Sequence, residues 1–394
     1  IGAWRPFPLS RLAALTTSSL FLLPFMSQSA FAQTFSTAAT AAAEAACGLG
    51  PPPAIAAGVC GGGGTVGGLG AVTQPNATAV VEDRLKTARE AAEDDTSGGA
   101  SADTTDTPLG GGLNAFFSAG AETLTHDKNA YEDGYDSVMP MATVGVDYAL
   151  TRWLNAGLAF NYTHSSGDYD NGGNFNNNSY GPLIYASILP FEGAFTDVVL
   201  SYARNDYYRS RRAVINGGTA PVGKQHVSGD YSGNEYSAAL HTGYDYPVGS
   251  ITIGPRAGLN YTYWQIDNYK EDGNSGLELR YSGQNQESLQ SSLGAAASIA
   301  IGTSFGVILP QVNAAWVHEF LNGARSIDAK YIAVPDSESF SFDRESTARN
   351  WAVIGVGVSA VLPNGIQPFV NFSTVQGNDD YVSYGGTLGL RVAL

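Results

Sequence analysis

Residues 251–263 read Ile-Thr-Ile-Gly-Pro-Arg-Ala-Gly-Leu-Asn-Tyr-Thr-Tyr. Ile251, Ile253, Pro255, Ala257, Leu259, Tyr261 and Tyr263 fall on one parity; Thr252, Gly254, Arg256, Gly258, Asn260 and Thr262 fall on the other. A strict period of two marks a strand with one apolar and one wet face. Thirteen residues exceed the usual strand of a globular protein, about five or six. The face bearing Arg256 and Asn260 must meet water, and the other must meet something apolar. Two further segments repeat the pattern. Leu154, Ala156, Leu158, Phe160 and Tyr162 alternate with Asn155, Gly157, Ala159, Asn161 and Thr163. Ala352, Ile354, Val356, Val358 and Ala360 alternate with Val353, Gly355, Gly357 and Ser359.

The rest of the chain narrows what these strands build. Its 394 residues carry a net charge of −16, with 48 Gly, 21 Tyr and only 20 Lys plus Arg. Charged residues are 14%, against roughly 25% in an average soluble protein. A chain this acidic is a poor nucleic-acid binder, because phosphate neutralisation needs Lys and Arg. No apolar run of 18 residues follows position 32, so no spanning helix is expected there. If the chain enters a membrane, a closed β-barrel is the remaining solution.

The N-terminal third divides by composition. Arg5 and Arg11, the apolar stretch from Leu12 to Met26, and Ala30-Phe31-Ala32 read as a secretory signal peptide over residues 1–32. Residues 33–76 are an Ala/Gly/Pro-rich, low-complexity stub, too poor in large apolar residues to form a core. Cys47 and Cys60 lie within it. An exported compartment permits a disulfide between them, and no neighbouring histidine suggests zinc. Residues 77–109 hold a helix and a linker. The helix carries Val80, Glu82, Arg84, Lys86, Arg89 and Glu93, with i,i+4 pairs of opposite sign at Glu82/Lys86, Lys86/Glu90 and Arg89/Glu93. Eighteen residues at 1.5 Å each give about 27 Å, close to the thickness of a bilayer core. A polar lumen suits such a helix; a solvated spacer is the other reading.

Residues 110–394 read as twelve strands near 112–125, 138–149, 153–165, 179–190, 195–210, 230–246, 250–266, 286–301, 305–320, 346–361, 365–375 and 381–394. Their connections alternate. Short turns fall at Leu150–Arg152, Pro190–Ala194, Pro247–Gly249, Gly302–Ser304 and Leu362–Gly365. Longer loops fall near 126–137, 166–178, 211–229, 267–285, 321–345 and 376–380, and many of the acids sit in them. An even strand number with short turns at one end and long loops at the other is the outer-membrane pattern. Small Gly, Ala and Ser residues on the lumen parity are expected to leave room for a plug. Tyr and Trp near strand ends, such as Tyr202, Tyr236 and Trp316, fit interfacial girdles. The expected fold is all-β: a 12-stranded antiparallel transmembrane barrel.

Two motifs carry a family resemblance. Pro310-Gln-Val-Asn-Ala-Ala-Trp316-Val-His318-Glu319-Phe320 resembles the Trp-x-His-Glu-aromatic signature on the ninth strand of autotransporter (type V secretion) translocators. Thr387, Gly389, Leu390, Val392 and Leu394 resemble the C-terminal signal read by the barrel-assembly machinery, with Leu where the family usually ends in an aromatic. The resemblance implies a helix threaded through the lumen of a barrel, localisation in the Gram-negative outer membrane, and display or export of the N-terminal segment. It also implies the lipid bilayer, the assembly machinery and periplasmic chaperones as partners of a monomeric barrel. It implies neither a catalytic residue nor a cofactor, and a translocator is not an enzyme. Parity places Trp316 on the lipid face and Glu319 towards the lumen.

Two other readings compete. One is a stand-alone barrel or pore. The other is an outer-membrane lipid hydrolase using His164 and Ser166, since a Ser hydroxyl is activated by a His two residues away on one strand face. No third group that would orient His164 is identifiable. The five histidines lack metal-binding spacing, and the loop acids form no EF-hand pattern, so no metal site is expected.

Overall fold

The computed structural model describes residues 112–394, apart from 129–132, 152, 171, 218–219, 324–325, 334–338, 344–345 and 347. The expected signal peptide, the stub with Cys47 and Cys60, and the helix over residues 77–94 lie outside the described residues.

Eighteen strands follow in chain order: β1 (Leu113–His126), β2 (Tyr135–Thr151), β3 (Leu154–Tyr169), β4 (Asn174–Ile188), β5 (Ala194–Gly217), β6 (Ala220–Tyr244), β7 (Tyr246–Val248), β8 (Ile251–Ile266), β9 (Tyr269–Lys270), β10 (Leu279–Tyr281), β11 (Gln284–Ile299), β12 (Ile301–Thr303), β13 (Gly306–Glu319), β14 (Ser326–Tyr331), β15 (Phe340–Asp343), β16 (Asn350–Val361), β17 (Ile366–Gln376) and β18 (Tyr381–Ala393). Twelve of them are staves of one antiparallel sheet, each paired with its neighbour in the chain. β18 pairs with β1 from Asn114↔Ala393 to His126↔Tyr381, which closes the sheet into a barrel. Closure removes both free edges of the barrel wall, while β5 beyond Arg209 and β6 before Gly233 run past their outer neighbours and pair with each other. β7 and β12 are short continuations at turns, paired with β8 and β13.

The barrel is inside-out by the standards of a water-soluble sheet. Leu158 is 61% exposed on the outer wall, whereas Asn205 is fully enclosed. Val144, Ile184, Val356 and Leu388 share the outer wall. Ser118, Thr143, Asn161, Asn177 and Ser359 share the interior. An apolar band of this kind is stable against hydrocarbon, with the polar row turned to the lumen.

Small lumen residues do more than leave space. The ring of Phe116 lies over Gly145, Tyr185 over Gly157, Phe195 over Gly243 and Phe369 over Gly389; a Cβ at any of these glycines would collide with the ring. Inward aromatics on one stave are therefore seated in gaps on the next. Phe116, Ala159, Leu183, Tyr185, Val199 and Ala239 form a packed cluster on the inner wall.

Both ends of the barrel chain, Leu113 and Ala393, sit at the end with the tight turns. The turn between β7 and β8 has two residues, as does that between β12 and β13. Between β16 and β17 the chain reverses through Asn364 at φ 64° and Gly365 at φ 70°, the left-handed region where Asn and Gly are least strained. The opposite end departs from expectation. Residues 166–178 and 211–229, expected as loops, are mostly strand: β3 runs to Tyr169, β4 starts at Asn174, and β5 and β6 extend to Gly217 and Ala220. In 166–178 the pairing continues because alternation continues, with Tyr169, Phe175 and Asn177 turned inward. Residues 267–285 and 321–345 contain β9, β10, β14 and β15, which form a separate sheet in the order β15-β14-β10-β9.

Candidate functional site: lumen, seam and loop-end sheet

Alternation dictates which side chains meet inside. Near the turn end, Asp147 accepts from Asn114 Nδ2 at 2.9 Å, Asn155 Nδ2 at 3.3 Å and the Tyr185 hydroxyl at 3.3 Å. Ser187 donates to Asp197 at 2.6 Å. Asn161 donates to Thr143 at 2.8 Å and Asn177 to Asn205 at 3.0 Å. Elsewhere along the wall, Gln311 donates to Asn371 at 3.0 Å, and Arg391 donates to Gln367 on the adjacent stave at 2.8 Å. Arg256 pairs with Asp245 and lies over the Phe195 ring. These buried groups are bonded to one another, so the wall is polar and ordered.

The motif on β13, the ninth stave, divides by parity. Trp316, His318 and Phe320 stand on the outer wall and touch in sequence, with ring centroids 5.7 Å and 4.7 Å apart. His318 bonds Asn350 at 2.9 Å. Pro310 lies earlier on the same stave, opposite Val358. Glu319 is buried on the inner side. Its carboxylate accepts from the Ser288 hydroxyl at 2.5 Å and from the N–H groups of Leu289 at 3.0 Å and Leu321 at 2.8 Å. Glu319 thus pins β11 to the outer end of β13. Its three donors come from backbone and a hydroxyl, which residue types alone do not announce.

The C-terminal motif lies along the closing seam. Thr387 faces Gly120, Gly389 faces Ser118, Leu390 faces Phe117 and Val392 faces Ala115. The Leu394 N–H donates to the Leu113 carbonyl at 2.9 Å. Leu390 and Leu394 are exposed on the outside.

On the outer wall near the loop end, tyrosines donate to a polar group on a neighbouring stave. Tyr162 bonds Asn178 at 2.8 Å, Tyr180 bonds Asp206 at 3.1 Å, Tyr202 bonds Asn234 at 3.0 Å and Tyr261 bonds Glu287 at 2.9 Å. Rings that are apolar below and hydrogen-bonded above mark the level where hydrocarbon gives way to headgroups. His164 belongs to this belt. It contacts Asn178 Oδ1 at 2.9 Å through Nδ1, and among the described residues it makes no bond to a serine. Ser166 shares its face two residues on. Among the described residues no three His, Cys, Asp or Glu are placed to hold a metal.

The loop end holds a second core that the sequence reading missed. Arg211 on β5 meets Glu271 through Nε and Nη2, each at 2.7 Å, and also donates to the Leu277 carbonyl at 2.9 Å. Both residues of this pair are buried. Glu271 further accepts from the Leu279 N–H at 2.9 Å and the Tyr281 hydroxyl at 3.2 Å. Beside the pair, Tyr207, Tyr231, Tyr269 and Tyr281 stack in a continuous column, with centroids 4.8, 4.1 and 4.6 Å apart. Arg209 lies over the Tyr169 ring at 5.8 Å. The column ties the extended β5–β6 hairpin to the loop-end sheet. A signal was present: Ile327-Asp328-Ala329-Lys330-Tyr331 and Leu279-Arg280-Tyr281 alternate like short strands.

Burial pushes the Tyr269 phenol up to about 12 and the Tyr281 phenol well above its ordinary value; burial also raises Tyr331. Opening the sheet returns these phenols to about 10. As pH rises, the open form releases protons first, so the sheet is fully stable below about pH 10 and weakens between about 10 and 12. Amide hydrogen exchange across that window is expected to show loss of protection at 269–281 and 326–331 while the barrel staves keep theirs. Simultaneous loss in both would contradict this.

The family model described as Autotransporter beta-domain matches residues 115–373. Outer membrane protein A of Rickettsia conorii is 28% identical over 268 residues, which is 66% of this chain and 13% of that protein. The autotransporter adhesin/invasin TibA of Escherichia coli O78:H11 is 26% identical over 212 residues, covering 54% of this chain and 19% of that protein. This chain therefore spans about an eighth to a fifth of the length of the curated relatives it matches. Among solved structures, the translocator domain of the autotransporter NalP from Neisseria meningitidis aligns with a TM-score of 0.56 at 15% identity. That alignment covers 80% of this chain and 98% of that one.

Proposed function

Since the chain belongs to the autotransporter β-domain family and is an outer-membrane translocator barrel, we propose that it exports or displays its own N-terminal segment, residues 33–76. One observation carries this reading. The barrel is closed at the β1–β18 seam, and Leu113 emerges at the turn end. A segment preceding Leu113 starts at that end, and only the lumen leads through the sheet to the other. The helix of residues 77–94 then sits in the lumen, its Arg84, Lys86 and Arg89 opposite a wall that carries Glu122, Asp147, Asp197 and Glu319. Residues 1–32 direct the chain across the inner membrane. Periplasmic chaperones hold it, and the assembly machinery pairs with the exposed edge of β18 before β1 claims it.

No bond is made or broken in this scheme. The outer apolar row drives insertion, and strand closure satisfies the backbone. The protein is not an enzyme on this reading: the His164 imidazole contacts the Asn178 side chain in the tyrosine belt. An epitope placed beside Cys60 is expected to be cut by protease added to intact cells while the barrel survives. Full protection of that epitope in folded, membrane-inserted protein overturns the reading.

A further inference from the structure

The loop-end sheet has two faces of opposite character. Tyr269, Leu279, Tyr281, Ile327 and Tyr331 are buried on one face. The other face carries Lys270, Arg280 and Lys330. In the sheet register Arg280 stands opposite Lys270 on one side and opposite Lys330 on the other. Three cations thus form a straight row across β9, β10 and β14, at about 5 Å per step. Lys270 and Arg280 are exposed and Lys330 is half-buried. Among the described residues, none of the three takes part in an ion pair. An acid stands two residues from each cation along the chain: Asp272 from Lys270, Glu278 from Arg280 and Asp328 from Lys330. Asp328 accepts from the Ser341 hydroxyl at 2.6 Å, Glu278 accepts from the Ser275 N–H at 2.6 Å and hydroxyl at 2.9 Å, and among the described residues no ion pair joins any of these acids to the row.

Such a row works against the sheet that carries it, because like charges directly opposite one another repel. A charged residue on an edge strand guards against unwanted strand pairing, which accounts for Lys270 on β9. Arg280 and Lys330 lie on interior strands, where edge protection has no purpose. The row also stands out in a chain of net charge −16. The charges are in line and do not converge, so a single phosphate would touch one or two of them. A linear polymer with regularly repeated anionic groups would meet all three. The buried face of the sheet packs on β5 and β6, through Arg211–Glu271 and Tyr231–Tyr269, so the cationic face turns away from that wall. Lys270 also lies nine residues beyond Tyr261 of the tyrosine belt, past the headgroup level.

We propose that the row Lys270–Arg280–Lys330 is a docking surface for a sulfated polysaccharide at the cell surface. The proposal rests on the loop-end sheet and not on export of the N-terminal segment, so either can fail alone. The test uses the full chain folded in detergent and immobilised heparin, with lipopolysaccharide vesicles and neutral dextran as parallel arms. The parent is expected to bind heparin and not dextran. The triple variant Lys270→Gln/Arg280→Gln/Lys330→Gln is expected to lose at least about tenfold in affinity. By counterion release, its slope of log affinity against log salt should fall by about 2. Arg349→Gln, which removes an exposed cation off the row, is expected to bind like the parent. Resistance of residues 267–331 to protease confirms that the triple variant keeps its sheet. Equal heparin binding by parent and triple variant overturns the proposal. So does binding of the parent to lipopolysaccharide vesicles without binding to heparin, which would turn the row toward the protein's own membrane.

Discussion

Glu271→Leu is expected to open the loop-end sheet, at a cost of about 3–5 kcal/mol. The change leaves Arg211 enclosed with its two 2.7 Å bonds gone, and it strips acceptors from the Leu279 N–H and the Tyr281 hydroxyl. A buried charge without its partner carries the full desolvation penalty. Protease added to the folded barrel should then cut within 267–285, a segment expected to resist in the parent. The double variant Arg211→Met/Glu271→Leu removes both charges while keeping bulk, and it is expected to recover most of the resistance. If the single and double variants are cut at the same rate, the pair does not hold the sheet. The barrel staves should keep their resistance in both, because the pair sits beyond the belt of tyrosines.

Gly389→Val is the second large effect, and it strikes the barrel itself. A Cβ at position 389 would lie 2.5 Å from Cε1 of Phe369 and 2.8 Å from the Phe117 carbonyl oxygen. The first obstacle is a ring and the second is backbone of β1, the partner across the seam. Overpacking of this kind costs about 1–3 kcal/mol in an ordinary core. Here β18 has to pair with both neighbours for closure, and a one-residue slip would turn every side chain of β18 to the wrong wall. The expected result is a several-fold loss of folded barrel on refolding into detergent, with Gly389→Ala less affected. Adding Phe369→Leu removes the ring and should restore part of the yield. Refolding of Gly389→Val at parental yield would leave position 389 a role only in recognition by the assembly machinery.

The alternation at 251–263 and its repeats made the barrel legible. A period of two over thirteen residues suits a long two-sided strand and little else, and the turn–loop asymmetry set the strand number. The motif at Trp316–Phe320 was legible as a pattern, but its work was not: the donors to Glu319 come from Ser288 and two backbone N–H groups, which no residue spacing reveals. The strands beyond the belt were misread because Asn, Gly and Ser are turn formers in short-range terms. Asn177 instead bonds Asn205 across two staves. That bond exists only once the register is set. The same holds for Arg211 and Glu271, sixty residues apart in sequence. The glycines opposite inward rings were read as empty space, since a sequence does not say which residue of the next strand fills the gap.

The two-sided wall also sorts the four indoles among the described residues. Trp153 and Trp316 stand outside, while Trp264 and Trp351 are enclosed. Light emitted by the outer pair is open to quenchers carried on lipid tails, and light from the inner pair is shielded from them. The folded barrel therefore carries built-in reporters of which wall faces what. A chain that had collapsed without closing would lose the distinction between its two populations.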